Sequence, residues 1–300
     1  MGGVDEFVAE PCDTDAYYLG EGVRFDDRTG ELYWVSVYDG AFFRARVDGP
    51  HVDLVARYDL GGEVGAVAPC ENRDDGWVVA RDRGVFHLGR DGELTLIAEP
   101  EYGREHVRMN DGAADPWGRF WVGSMAYDYA PGEGRLFRVD AEGGVETVVS
   151  SATISNGMGW SPDRRTMYYV DSGPATLDVF DVDADGAVSS RRTLVSFDAK
   201  REGAPDGLCV DANGAVWVAL WGGSEVRRYG EDGELLARVQ VPASQPSCCA
   251  IGGQSGTTLY VTTAQEDLTP EALARQPMAG RLMWVEVGVL GRPLDGVRWG

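Results

Sequence analysis

The chain has 300 residues, 43% of them hydrophobic, 41 glycines and a formal net charge of −22. We expect neither nucleic acid nor an anionic membrane surface as a partner, because both are bound through basic patches. The N-terminus MGGVDEFVAE is acidic and has no apolar stretch like that of a signal peptide. An odd count of five cysteines without metal-finger spacing favours reduced thiols and a cytoplasmic location.

In chain order, residues 4–12 are predicted as a short strand that closes a ring by joining the last repeat. Six copies of one plan follow, each with an apolar strand, a polar turn containing glycine and a second apolar strand. The centres of the second strands recur about every 43 to 48 residues, the spacing of four-stranded propeller blades. These centres are Trp34, Val78, Trp121, Tyr169, Trp217 and Val261. The sequence therefore predicts an all-β fold, a six-bladed β-propeller in one domain over residues 1–300.

A polar residue stands roughly 11 to 13 residues before four of these centres. The four residues are Glu21, Asn110, Asn156 and Asp206. Equivalent positions of successive blades lie at equal radii about one axis, so we expect these side chains to converge at one mouth of the channel. Two carboxylates and two amide oxygens, without His or Cys, favour a divalent cation such as Ca, Mg or Mn over Zn or Fe(II).

The remaining blades are less informative. Blade two has Glu63 or Val64 at the corresponding position and is predicted to form only a wall, and blade six has Ser247. In blade three, Arg108 lies two residues before Asn110, on the same face of a strand. Its forked guanidinium could hold a ligand oxygen. After the last pair of strands, Thr269 and the following proline predict the start of a helix.

These motifs together resemble the SMP-30/gluconolactonase family of regucalcin-like lactonases over nearly the whole chain. The matching stretches, in order, are GEG at 20–22, RMNDGAADPWGRFWVGSM, NGMGWSPD with YYVDS, PDGLCVD with WVALW, and finally SCCAIGG, LYVTTA and QPMAG. Two stretches depart from the family pattern. Gly22 and Val23 replace a common Ser-Pro, and residues 127–129 replace a more acidic segment of the lid, which bears on the preferred sugar.

The resemblance implies one divalent metal ion on the propeller axis, held by Glu21, Asn156 and Asp206. It also implies that Arg108, Asn110 and Asp128 contact a sugar lactone. Asp206 matches the residue that usually acts as general base. The ion is expected to be Ca, Mg, Mn, Zn or Fe(II).

The expected reaction is metal-dependent hydrolysis of an aldonolactone, such as gluconolactone, xylonolactone or arabinonolactone, to the aldonic acid. A cation polarises the ester carbonyl, and Asp206 accepts the proton of the attacking water, directly or through a bound water. The chain contains no G-x-S-x-G motif, which argues against a serine nucleophile. Two alternatives stay open: a propeller that binds metal or sugar without turnover, and a hydrolase of another ester on the same metal. We expect a monomer or a weak homo-oligomer.

Overall fold

Residues 3–299 are described in this computed structural model, and they form six β-sheets. Apart from two short N-terminal strands, successive strands of the chain are neighbours within each sheet and pair antiparallel. The first strand of each sheet packs against the first strands of the sheets before and after it, and the sixth sheet contacts the first. The six first strands therefore surround a central channel. The predicted six-bladed β-propeller is confirmed.

The elements are given in chain order, with α1 and α2 for the α-helices and one 3-10 helix at Arg73–Asp75. They are β1 Asp5–Val8, β2 Glu10–Pro11, β3 Gly20–Asp26, β4 Glu31–Ser36, β5 Ala41–Asp48, β6 His51–Asp59, β7 Val64–Pro69, β8 Trp77–Arg81, β9 Gly84–Leu88, β10 Leu94–Ala98, β11 Val107–Ala114, β12 Phe120–Ala126, β13 Gly134–Val139, β14 Val145–Ala152, β15 Ser155–Trp160, β16 Thr166–Asp171, β17 Thr176–Val182, β18 Val188–Ser196, α1 Ala199–Glu202, β19 Ala204–Val210, β20 Val216–Trp221, β21 Glu225–Tyr229, β22 Leu235–Gln240, β23 Pro246–Gly252, β24 Thr258–Thr263, α2 Pro270–Arg275 and β25 Met283–Glu286.

Blades one to four are β3–β6, β7–β10, β11–β14 and β15–β18, blade five contains β19–β22, and blade six contains β23–β25. The six aromatic or β-branched centres used to find the repeat all lie in the second strand of their blade. Helix α2 begins as predicted, with the Thr269 hydroxyl accepting the Ala272 amide. Within residues 3–299, no helix is long and apolar enough to cross a bilayer.

The N-terminal segment is divided between two blades, whereas we expected a single strand in the last one. Strand β1 adds to the outer edge of blade five, parallel to β22, and β2 pairs antiparallel with β25 as the outermost strand of blade six. Ala9 between them is buried. Pro11 lacks an amide proton, and it is tolerated here because β2 lies at the edge of its sheet. The first residues of the chain thus tie blades five and six together.

An aspartate organises the turn between the first two strands of several blades. In blade five, Asp211 is fully buried and accepts the amides of Asn213 and Ala215, the Trp217 indole at 3.0 Å and the Arg228 guanidinium at 2.8 Å. Asp115 holds the turn of blade three in the same way. One carboxylate therefore joins the turn to the aromatic core of its blade.

The first strand of every blade is bulged near its beginning. In all six, the pairing register with the second strand shifts at this level. Asn110, Asn156 and Asp206 lie inside their bulges, and Glu21 lies directly before one. A bulge bends the strand and redirects its side chains, which is why bulges are frequent beside active sites. Here they turn polar side chains toward one end of the channel.

The C-terminal segment crosses the opposite end of the channel. Gly291 bridges to Asp211 of blade five, Val297 bridges to Cys70 of blade two, and the Arg298 amide donates to Gly118 of blade three. All these contacts lie at the far ends of first strands. The segment therefore covers the face remote from the bulges and leaves the bulged end open.

Candidate metal and substrate site

A cavity of about 330 Å³ opens at the bulged end of the channel. This volume lies in the range of small-molecule sites. Five of the predicted site residues line it together: Glu21, Arg108, Asn110, Asn156 and Asp206. They come from blades one, three, four and five, so residues up to 185 positions apart in the chain share one wall because their strands start at the same height.

The two carboxylates are placed where a negative charge is costly. Asp206 is 5% exposed, and burial followed by repulsion from Glu21 and Asp111 raises its pKa well above the ordinary value. Burial and the Asp111 charge likewise raise the pKa of Glu21 to about 8, against the opposing effect of an amide hydrogen bond from Gly22. A cation bound between the two carboxylates would offset this repulsion.

Asn156 supplies a third oxygen. Its Nδ2 donates to Ser172 Oγ at 3.1 Å, which turns its Oδ1 away from that contact. Asn156 Oδ1 and Asp206 Oδ1 are both buried without a hydrogen-bond partner among the described residues. Buried acceptors are normally satisfied, so these two atoms fit a ligand. The set of two carboxylates and one amide oxygen suits a hard divalent cation.

Within residues 3–299, no three His, Cys, Asp or Glu side chains group in a way that could hold a metal. The candidate centre depends instead on an amide oxygen as its third donor.

Asn110 differs from the other three donors predicted from the repeat. Its Oδ1 accepts from Arg108 Nη1 at 2.8 Å, and its Nδ2 donates to the backbone oxygen of Ser155 at 3.2 Å. Both ends of its amide are therefore used by the protein. Arg108 is 5% exposed, and Arg108 Nε lies 4.0 Å from Glu63 Oε2. Asn110 thus fixes the guanidinium, and its Oδ1 already accepts one hydrogen bond, whereas Asn156 Oδ1 accepts none from the described residues.

Close packing of neighbouring first strands holds the centre together. Gly157 follows Asn156, and a Cβ added to it would lie 2.6 Å from the Asp206 backbone oxygen and 2.8 Å from the Leu208 nitrogen. Any side chain here would push apart the two strands that carry Asn156 and Asp206. The glycine therefore sets the distance between two proposed metal ligands.

Three other predicted positions lie away from the cavity. Asp128 is exposed, and its Oδ1 accepts the Ala130 amide at 3.1 Å. Its neighbour Tyr129 lines the cavity instead. Ser247 is buried and donates to the Gly20 backbone oxygen at 2.6 Å, so it joins blades six and one. Glu63 contacts the rim, where it accepts the Tyr127 hydroxyl at 2.8 Å.

The cavity also includes residues that the sequence analysis did not single out. The polar ones are Tyr129, Ser172, Gln245, Glu266 and Asp267. All but Gln245 follow the second strand of a blade, and the antiparallel return of that strand brings the next turn to the bulged end. Counting residues forward from each second-strand centre, as well as backward, could have found these four.

A buried ion pair lies in the channel close to the carboxylates. Arg24 Nη2 is 3.1 Å from Asp111 Oδ1, and both side chains are almost inaccessible. Arg24 Nη1 also donates to the Val23 backbone oxygen and contacts Cys248 Sγ, each at 2.9 Å. All five cysteines are free thiols, as expected, and Cys209 Sγ lies 3.8 Å from Cys249 Sγ. The guanidinium places one positive charge in a channel otherwise rich in carboxylates.

Comparison with known proteins gives a consistent result. Residues 19–265 match the family model described as the SMP-30/Gluconolactonase/LRE-like region. A 6-deoxy-6-sulfogluconolactonase of Pseudomonas putida is 35% identical, covering 91% of this chain and 92% of its own. Regucalcin of Oryctolagus cuniculus is 32% identical, with 92% and 93% covered.

Solved structures agree with these relatives. The crystal structure of a calcium-binding protein, regucalcin, from Agrobacterium tumefaciens superposes with a TM-score of 0.90 at 29% identity. The match covers 99% of this chain and 100% of that one. The resemblance seen in the sequence motifs is thereby confirmed, and relatives named as lactonases are among the matches.

Proposed function

Because the chain belongs to the SMP-30/gluconolactonase/LRE-like family, we propose that it is a metal-dependent hydrolase that opens a sugar lactone to the aldonic acid. The observation that carries this proposal is the convergence of a buried carboxylate, a half-buried carboxylate and an unpartnered amide oxygen beside a fixed guanidinium in one cavity. Glu21, Asn156 and Asp206 would hold one divalent cation. Glucono-, xylono- and arabinonolactone are the first substrates to test.

A bound cation would polarise the lactone carbonyl and stabilise the negative charge that develops on its oxygen. The chain supplies the proton transfer. Asp206 accepts a proton as water attacks the carbonyl carbon and the new C–O bond forms, and the ring C–O bond breaks when the resulting tetrahedral adduct collapses. The proton then passes to the ring oxygen, which leaves as the hydroxyl of the aldonic acid. Asp206 lines the cavity, so its carboxylate could reach a water molecule bound there.

Arg108 would orient the substrate by donating to its hydroxyl oxygens. Asn110 acts on Arg108 through the 2.8 Å hydrogen bond, so it would contribute by keeping the guanidinium in place. Asp128 lies outside the cavity wall, and its proposed contact with the sugar requires residues 127–130 to close over the bound substrate. Its effect should therefore fall on KM more than on kcat.

The test is proton release from a panel of aldonolactones by protein stripped with a chelator and then given Ca, Mg, Mn, Zn or Fe(II) singly. We expect hydrolysis above the spontaneous rate only with metal. Asp206→Asn preserves the side-chain shape and should abolish activity, as should Asn156→Ala, both with unchanged far-UV circular dichroism. An exposed change, Asp185→Asn, is the matched control. Full activity in Asp206→Asn would refute the proposed base.

One observation favours a second function. The A. tumefaciens relative is named as a calcium-binding protein, and no lactonase activity appears in its name. A binding protein of this kind would take up the cation with the same three ligands and leave every lactone at its spontaneous rate. The panel experiment separates the two functions, because metal affinity and turnover are measured on the same samples.

A further inference from the structure

The wall of the cavity above the proposed metal centre is acidic. Among the described residues that line the cavity, Arg108 is the only cation, whereas there are four carboxylates: Glu21, Asp206, Glu266 and Asp267. A divalent cation would balance Glu21 and Asp206, and Arg108 would balance one more. The Glu266–Asp267 pair therefore leaves the site with an excess negative charge.

Contacts from blade one and the neighbouring loop hold this pair in place. Tyr38 donates its hydroxyl to Glu266 Oε1 at 2.7 Å, although 228 positions separate the two residues. The Tyr18 hydroxyl makes two hydrogen bonds to Asp267: it donates to Oδ1 at 3.5 Å and accepts the Asp267 amide at 3.3 Å. The Tyr18 and Tyr38 rings are 5.7 Å apart. The two carboxylates are thus anchored, and they are not freely moving surface groups.

The backbone at this point is also specialised. Asp267 has a φ of 56° and Tyr129, also on the cavity wall, has a φ of 58°. Left-handed conformations are uncommon for residues other than glycine, and they persist where the surrounding structure holds them, often at ligand sites. Burial, and next the Glu266 charge, raise the pKa of the Tyr129 hydroxyl. The acidic pair and this tyrosine line the same cavity.

A separate observation indicates what the wall binds. Gln245 is 9% exposed and donates through Nε2 to the Glu266 backbone oxygen at 3.0 Å. Its Oε1 is buried and has no partner among the described residues. Carboxylate oxygens and a free amide oxygen are all acceptors, so this wall is suited to hydroxyl donors. An anionic group placed there would meet like charge from Glu266 and Asp267.

We infer that Glu266 and Asp267 determine specificity, by admitting neutral polyhydroxylated lactones and excluding lactones that carry an anionic substituent. This inference rests on the proposed function and narrows its substrate class. It also distinguishes this chain from the P. putida relative, which is named for a lactone that bears a sulfo group. The wall would accept the hydroxyls of the sugar remote from the reacting carbonyl.

The experiment compares kcat/KM for D-glucono-1,5-lactone and its anionic counterpart, 6-phospho-D-glucono-1,5-lactone, with the metal-loaded protein. We expect wild type to prefer the neutral lactone by about tenfold or more, with the preference shrinking as salt screens the repulsion. Glu266→Gln keeps the acceptor for Tyr38, and Asp267→Asn tolerates the left-handed backbone. Each change should raise the ratio of anionic to neutral kcat/KM by about three- to tenfold. Glu142→Gln, an exposed change on blade three, should leave both values unchanged.

The outcomes separate this inference from the proposed reaction. Hydrolysis of both lactones with an unchanged ratio in both variants would overturn the inference and leave the reaction standing. If no lactone is hydrolysed, the reaction is refuted, and the inference is judged by calorimetric binding of glucose against glucose 6-phosphate to the metal-loaded protein. Tighter binding of glucose, with the difference reduced in Glu266→Gln, supports it. Equal or tighter binding of the phosphate overturns it.

Discussion

Replacing Arg24 should destabilise the propeller more than replacing an exposed arginine does. Arg24 and Asp111 have side chains that are 8% and 3% exposed, and their 3.1 Å contact lies inside the channel. At an effective dielectric constant of about 20, this pair attracts with about 5 kcal/mol. Arg24→Met removes that attraction and leaves the Asp111 carboxylate buried without a countercharge, so we expect a loss of roughly 3–5 kcal/mol of unfolding free energy.

The assay is urea unfolding of the chelated protein, followed by tryptophan fluorescence, for Arg24→Met, Asp111→Asn and the double variant. Asp111→Asn neutralises the carboxylate while keeping its shape. The double variant should recover about 2 kcal/mol or more relative to the sum of the single losses, because neither charge is then left alone. Arg192→Met, which breaks an exposed ion pair with Asp181, is the control and should change the stability little. The reasoning fails if Arg24→Met costs no more than this control.

Three further predictions concern the site and its support. Burial and the Asp111 charge raise the pKa of Glu21 to about 8 in the metal-free protein, so its carboxyl is largely protonated at pH 7. Metal binding should therefore release protons at pH 7 and fewer protons at pH 9. Calorimetry in buffers of different ionisation enthalpy measures the proton release, and equal heats of binding in all buffers would contradict the prediction. Gly157→Ala should lower the free energy of unfolding by about 1–3 kcal/mol through overpacking, and it should also weaken metal binding. Denaturant unfolding and metal titration measure the two effects, and an unchanged metal affinity would show that the spacing of the strands does not limit binding. Asp211→Ala should lower the free energy of unfolding by about 2–4 kcal/mol, because the buried donors around Asp211 lose their acceptor. Asp232→Ala removes one exposed turn contact and should change the stability little. Similar melting temperatures for the two variants would refute the role of the buried carboxylate.

The repeat made much of the site predictable. The spacing between the second-strand centres, and between each centre and the polar residue before it, is nearly constant along the chain. In a closed ring, residues at equivalent positions of the repeat lie at the same height along the propeller axis and at the same distance from it. Glu21, Asn156 and Asp206 could therefore be placed together from the sequence, and the structure brings them to one cavity.

The role of Asn110 shows the limit of this reasoning. The repeat places it level with the other three donors, yet its amide is occupied by Arg108 and the Ser155 backbone. Register gives the position of a residue along its strand. It does not give the rotamer, which depends on partners supplied by the neighbouring blade.

The six blades and the shared level of the polar residues at one end of the channel could therefore be predicted from the amino-acid sequence, since each follows from patterns within some fifty residues. The folded ring was needed to find the Arg24–Asp111 pair, the division of the N-terminal segment and the acidic wall at Glu266. These depend on contacts between blades, such as Tyr38 with Glu266 across 228 positions. No local pattern encodes such pairings, because they arise when the ring closes and brings loops that do not repeat into contact.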